Sequence, residues 1–433
     1  MKIKINTSPI FNLIMFMAIT DCGIFSILSI PLLNENGICV TMVAAISSLL
    51  FLNCIVNKTI NTALKPYRNF INFYMILLVA FVAVFTIYSY SRYGQGVVEL
   101  FNCFRHFIYL FMVSPLIYIF TKQNGYERIL KAIVWLVFIV LIIECFRAVV
   151  YNTFGINLLQ GVGFTMRSGR LRTDAPPLFG IAVSYSIYKI FEEKLQKNKI
   201  KWIILFLFII VFELYTNMTR MYMIAIFVTA LMVYLLRPRP KTNQIFVWLF
   251  VILIFIFLWV SGAISLFLDT FADSNDEYGN STIARQAARD YFSLYTKDNP
   301  FFSMGFVCPT TDYFHAIFFG PEGNCCFDDL GIINMWYHFG ILGVIFTGVL
   351  CIRMIYLFIK IYFFTNSKYK VFIAGIFVFL IATQVSLSAL DQQRIFNLVF
   401  IWSIFEYEAH NSYRPAKRSV IKFARNKKAT TAA

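Results

Sequence analysis

Stretches of about twenty apolar residues recur along this chain, and a bilayer leaves such stretches little choice of fold. No water is present in lipid to satisfy backbone N–H and C=O groups, so a crossing segment closes its own hydrogen bonds as a helix. Each crossing takes roughly 20 residues. We read about twelve spans, at 10–33, 38–56, 70–90, 103–121, 130–150, 176–191, 200–217, 221–236, 246–265, 333–357, 371–390 and 395–408. The chain is 59% hydrophobic and 14% charged, with mean hydropathy +0.70, and a soluble domain of 433 residues would carry more charge. The predicted fold is an all-α polytopic membrane protein of about 12 transmembrane helices with one large periplasmic loop containing short helices. Residues 1–433 read as a single integral membrane domain, with the loop at 266–332 and a basic cytoplasmic tail at 409–433.

Basic residues set the orientation. The loops NKTINTALKPYRN, EEKLQKNKIK and RPRPKTNQ and the tail from His410 are rich in lysine, and they alternate to one side. That side is expected to be the cytoplasm, with both termini on it. Most of the net charge of +16 lies there, where it orients the chain and meets anionic headgroups; nucleic acid is not an expected partner. The first span follows a short polar start without an A-x-A cleavage site, so it is expected to stay as a helix. The opposite face is expected to carry one lysine, Lys297, and ten arginines: Arg92, Arg105, Arg147, Arg167, Arg170, Arg172, Arg220, Arg285, Arg289 and Arg394. The positive-inside rule does not account for a face that loses lysine and keeps arginine. The planar arginine fork matches phosphate and carboxylate geometry, which points to a phosphate-bearing ligand.

The loop at 266–332 is too long to be a simple connection. Within it STIARQAARDYFSLY reads as an amphipathic helix with Ser281 as N-cap and Ala284, Ala288 and Tyr291 on one face. Arg285 and Arg289 share the neighbouring face, either as an anion site or as a solvated face partnered by Asp290 or Asp298. Asp328 and Asp329 stand where the chain returns to the membrane, as helix caps or as a general base. His315, near Asp312, is a further candidate base. Upstream, MRSGRLRTDAPPLFG clusters Arg167, Arg170 and Arg172 ahead of a span expected to start at Pro176-Pro177. Arg220 follows Glu213 by seven residues, as a structural pair or as part of a site. Arg147 pairs locally with Glu144. Asp21, midway through the first span, is open between a proton relay, a partner in the bundle and a cap for a break at Gly23. Cys22, Cys39, Cys54, Cys103, Cys145 and Cys351 read as small packing residues. Cys308 either stays free or pairs with Cys325 or Cys326 in an oxidising periplasm. No Cys/His spacing resembles a zinc site, and no metal or cofactor is expected.

Three segments together resemble the Wzy-type O-antigen and capsular polysaccharide polymerases and the related O-antigen ligases. RLRTDAPPLFG is similar to that family's arginine-then-proline segment, and LYTNMTRMYMIAIF to its T-x-S-R step, with Thr219-Arg220 at the Ser-Arg position. ARQAARDYFSLYTKDNPFFSMGFV followed by DDLGIINMWYHFGILG is similar to its large-loop pattern of arginine helix, N-P-x-x-x-x-G and G-I-L-G. The resemblance covers roughly 160–350. It implies an inverting glycosyltransferase of the bacterial inner membrane with a periplasmic active site. A glycan would pass, without a metal, from an undecaprenyl-pyrophosphate-linked oligosaccharide to a lipid-linked repeat unit. It implies pyrophosphate binding by Arg170 or Arg172, by Arg220, and by Arg285 and Arg289. Membrane lipid and a chain-length regulator protein are the further partners it implies. Ligases, which transfer to lipid A core, place a histidine where this chain has Asp328-Asp329, so the polymerase is the closer likeness. The candidate bases are then Asp329, Asp328 and His315.

Two rival classes fit less well. A lipid-linked glycan flippase or transporter is expected to show repeat symmetry and broken helices, and neither is read in the sequence. A dolichol-type transferase carries an acidic motif in a large first outer loop, where this chain has only about Asn34–Gly37.

Overall fold

The computed structural model describes residues 9–24, 36–156, 165–167, 170–237, 277–323, 325, 327–385 and 387–411. The expected span at 246–265, the later part of the one at 10–33 and most of the basic tail lie outside these residues. The helices are α1 (Pro9–Asp21), α2 (Asn36–Val56), α3 (Lys58–Leu64), α4 (Arg68–Tyr93), α5 (Val97–Phe104), α6 (Val113–Phe120), α7 (Gly125–Phe154) and α8 (Phe179–Glu192). They continue as α9 (Gln196–Phe212), α10 (Arg220–Leu236), α11 (Glu277–Asp298), α12 (Asp312–Phe319), α13 (Asn334–Phe364), α14 (Lys370–Thr383) and α15 (Ile395–Asn411). Among the described residues, six helical stretches are long and apolar enough to cross a membrane: 37–56, 58–93, 97–120, 125–154, 196–217 and 330–364. α1, α10 and α14 are shorter and equally apolar. α8, at 14 residues, rises only about 21 Å against a hydrocarbon core of about 30 Å. It starts at Phe179 because Pro176–Leu178 forms a turn rather than a first helical turn. The molecule is thus all-α and of membrane-embedded character, with fewer full-length spans among the described residues than the twelve expected.

Among the described residues one small exception to the helices is a hairpin. β1 (Thr165–Arg167) and β2 (Arg170–Arg172) pair antiparallel, with Arg167 opposite Arg170. Strand alternation puts Arg170 and Arg172 on one face and Leu171 on the other. Leu171 is buried, and its amide donates to Asn152 Oδ1 at 2.8 Å.

Helices expected to be continuous are broken, and each break has a local cause. Between α5 and α6 the chain tightens into a 3-10 helix over Arg105–Met112. Pro115 has no N–H to give and crowds the carbonyl one turn back, which favours the tighter winding before it. After α9, Glu213–Asn217 forms a π turn and Met218 takes φ 53, so Glu213 and Arg220 do not share a continuing helix. α13 is preceded by a 3-10 turn, Asp328–Ile333, with Gly331 at φ 64. Gly340, inside α13, has φ 58 and ψ −150, a region open in practice to glycine alone. A Cβ there would stand 2.4 Å from Pro300 O. Ile341 N donates to Pro300 O at 2.9 Å and Gly305 N to His338 O at 2.8 Å. The segment after Asn299-Pro300 therefore supplies hydrogen bonds that the break opens, which is how interrupted helices persist in lipid. Ile332 N likewise reaches Gln384 O at 3.0 Å.

The described part of the long connection, from Glu277 onward, is folded. Ala288, Phe292, Met304, Val307, Phe314 and Phe327 bury together as a small second core. α11 already starts at Glu277, so Ser281 lies inside it rather than at its N-cap. The backbone after Asn299 docks on side chains at the end of α4 and just beyond it: Tyr88 Oη donates to Ser303 O at 2.9 Å, Tyr93 Oη to Met304 O at 2.8 Å, and Gln95 binds both Phe306 O and the Cys308 amide. Beneath this cap, α10 packs along α14, α8 against α9 and α14, and α15 against α6 and α13.

Candidate functional site

Two adjoining chambers, of about 330 and 660 Å³, lie between the cap and the helices. Both are walled by Asp174, Pro177, Gln393 and the cap residues Phe318, Phe319 and Phe327. The smaller one is lined by Arg172 and Arg394, by the amides Gln384, Gln393 and Asn397, and by an apolar side including Phe179 and Phe379.

Arg172 is positioned by the broken step after α9. Its Nε donates to Asn217 O at 3.1 Å and its Nη2 to Thr219 Oγ1 at 3.2 Å. Thr219 Oγ1 donates in turn to Asn217 Oδ1 at 2.8 Å, and Asn217 Nδ2 donates to both oxygens of the buried Glu213 carboxylate, at 3.1 and 2.9 Å. Glu213 also accepts from the Thr219 amide at 3.1 Å. Glu213 therefore closes the broken turn, and the turn aims Arg172. The guanidinium has five donors, so donors remain beyond these two bonds. Asp174 stands 3.6 Å from Nη2, with a side chain 79% exposed. Arg394 is held by Asp391 at 2.8 Å and by Tyr222, and Asp391 accepts from Asn334 at 3.1 Å.

The other expected site residues stand elsewhere. Arg170 is exposed, 5.5 Å over the Tyr215 ring. Arg220 is the first residue of α10 and half-buried. Arg285 is half-buried and Arg289 exposed on α11. Neither these four nor His315 line either chamber; His315 is exposed, its ring against Phe319. Asp328 and Asp329 belong to the 3-10 turn directly after Phe327, a residue of the shared wall, and their side chains lie outside what the structure describes. Asp298 pairs with Arg92 at 2.9 Å and Asp290 accepts from Gln286 at 3.1 Å. Arg147 pairs with Glu144 at 3.5 Å, as expected.

The chambers also gather residues that the sequence had left without a role. Arg394, Asp391 and Gln393 belong to the run DQQR between two apolar helices. Four polar residues at the ends of two apolar helices were the available signal. Arg105 and Asp21 line the larger chamber. Cys308 is a thiol in hydrogen-bonding contact with Cys103. The Cys103 contact pulls the Cys308 thiol down to about 6. Among the described residues no group of three His, Cys, Asp or Glu side chains is placed to hold a metal ion. Compared with known proteins, the chain matches no family model and no curated protein.

Proposed function

We propose that this protein is a glycosyltransferase that polymerises lipid-linked repeat units, moving a glycan from an undecaprenyl-pyrophosphate donor to a lipid-linked acceptor at the periplasmic face. The observation that supports it most is the smaller chamber, where Arg172 and Arg394 stand beside an apolar wall and three amides. Pyrophosphate leaves readily once its charge is offset, and fixed arginines in a site shielded from water do this effectively. The acceptor hydroxyl attacks the anomeric carbon from the side opposite the pyrophosphate. The new C–O bond forms as the old one breaks, the hydroxyl proton passes to a carboxylate, and undecaprenyl pyrophosphate departs. Asp329 and Asp328 remain candidates for that carboxylate. Asp174 joins them, because it is exposed and lines both chambers.

The helix breaks at Glu213–Asn217 and Gly340 favour a second reading, transport of a lipid-linked glycan, since interrupted helices are common in transporters. Purified protein given a defined undecaprenyl-pyrophosphate repeat unit separates the readings. A ladder of products from that substrate alone is expected. Products only after addition of lipid A core mean a ligase. Transbilayer movement without turnover means a transporter and overturns the transferase.

A further inference from the structure

The larger chamber differs from the smaller one in charge and in how its polar groups are satisfied. Asp21, Asp174 and Asp391 line it against a single guanidinium, Arg105. The smaller chamber reverses this balance, with Arg172 and Arg394 against Asp174. Asp391 is already paired with Arg394, so an anion suited to the smaller chamber would meet only Arg105 among the guanidinia lining the larger, with the Asp21 carboxyl in the same lining. Three buried polar atoms of the larger chamber's lining have no hydrogen-bond partner among the described residues: Asp21 Oδ2, Arg105 Nε and His338 Nε2. Buried polar groups are almost always paired, and a charged one left unpaired is costly.

Arg105 is nonetheless held in place. Its Nη1 donates to Gly37 O at 2.9 Å and to Thr41 Oγ1 at 3.0 Å. The unmet atoms are thus an acceptor, a donor and an imidazole nitrogen, on three residues that line a space of about 660 Å³. The ligand that answers all three is uncharged and carries neighbouring groups that both donate and accept. Vicinal hydroxyls of a pyranose ring meet that description. The rings of Phe318, Phe319 and Phe327 in the shared wall offer apolar faces for its C–H side.

We propose that the larger chamber is a sugar subsite that holds the acceptor glycan through Asp21, Arg105 and His338. This rests on the transferase reading for the word acceptor, while recognition of an uncharged sugar stands on the chamber alone. Division of the site by charge follows: pyrophosphate on the Arg172 side, neutral hydroxyls on the Asp21 side.

The test measures binding to the full-length protein in detergent or nanodiscs, with two probes. One is a panel of methyl glycosides of hexoses and N-acetylhexosamines, followed by saturation-transfer NMR; the other is inorganic pyrophosphate, followed by calorimetry. At least one glycoside is expected to bind, and Asp21→Asn and His338→Gln to weaken it tenfold or more while leaving pyrophosphate binding unchanged. Retained pyrophosphate binding shows that the variants fold. Arg172→Ala should do the opposite. No glycoside binding to the unaltered protein, which would mean that the chamber holds solvent only, overturns the subsite. So does binding that both variants leave intact. Glycoside binding lost in Asp21→Asn, in a protein that turns over no lipid-linked donor, keeps the subsite and removes the transferase. Turnover without glycoside binding removes the subsite and keeps the transferase.

Discussion

Arg172 is where two stretches of sequence meet. RLRT supplies the guanidinium and TNMTR supplies the carbonyl and hydroxyl that orient it. The second motif therefore works in the chamber through Thr219, a lining residue, while Arg220 stands beyond the lining. Arg172→Lys keeps the charge and loses the fork. Product formation is expected to fall by roughly 10- to 150-fold, the kinetic equivalent of about 1.5–3 kcal/mol for hydrogen bonds to a charged group. Thr219→Val should cost less, about threefold to tenfold if one such bond contributes about 1 kcal/mol, and Thr219→Ser should restore activity. Equal activity in Thr219→Val and the parent would mean that the hydroxyl does not position Arg172. At Cys308 the expectation concerns pH. A thiol pulled down to about 6 by its Cys103 contact is mostly thiolate at neutral pH. Alkylation at Cys308, followed by peptide mass spectrometry, should hold a plateau above about pH 7 and fall as pH drops through about 6. Replacing Cys103 with alanine should move the midpoint upward. Sequence alone left Cys308 either free or paired with Cys325 or Cys326, because only neighbours along the chain are visible there. The pairing across to Cys103 is set by the docking of the cap on α4 and α5.

Among elements, the breaks carry the information. The length of apolar stretches located most helices, because each lipid crossing demands it. It could not show interruptions, since a broken transmembrane helix stays apolar on both sides of its break. G-I-L-G was legible as a motif, and its physical job emerges only with its partner: Gly340 admits the backbone of Pro300 and Phe301. Gly340→Ala should therefore destabilise by at least about 1–3 kcal/mol from backbone strain alone, with the clash added. Thermal unfolding in detergent measures this, and an unchanged midpoint would refute the close approach. Hydrophobicity alternates in Thr165-Met166-Arg167 and Arg170-Leu171-Arg172 for only three residues each, too short a pattern to mark a hairpin in the sequence. The two arginines of β2 share a strand face, yet only Arg172 reaches a chamber.

For the molecule as a whole, class and overall helicity were legible from composition, and the assembly of the site was not. Residues lining one chamber come from the hairpin, α8, α10, α12, α14, α15 and the turn before α15. One buried ion pair ties that assembly together away from the chambers: Arg353 of α13 grips Glu406 of α15 with two bonds of 2.8 Å. Glu406→Gln leaves Arg353 with its charge uncompensated and should cost about 3–5 kcal/mol, read as a lower unfolding midpoint, whereas removal of both charges with apolar residues of like volume should cost less.

The cap's attachment bears on biogenesis. Tyr93 and Met304, joined by one hydrogen bond, are 211 residues apart in the chain. Insertion of α4 thus precedes its partner's synthesis by nearly half the protein, and Arg394 emerges later still. A nascent chain can have α4 inserted and still own neither chamber. On the proposed function such a chain lacks the donor's site, and chains truncated before Arg394 should accumulate in the membrane without binding undecaprenyl pyrophosphate.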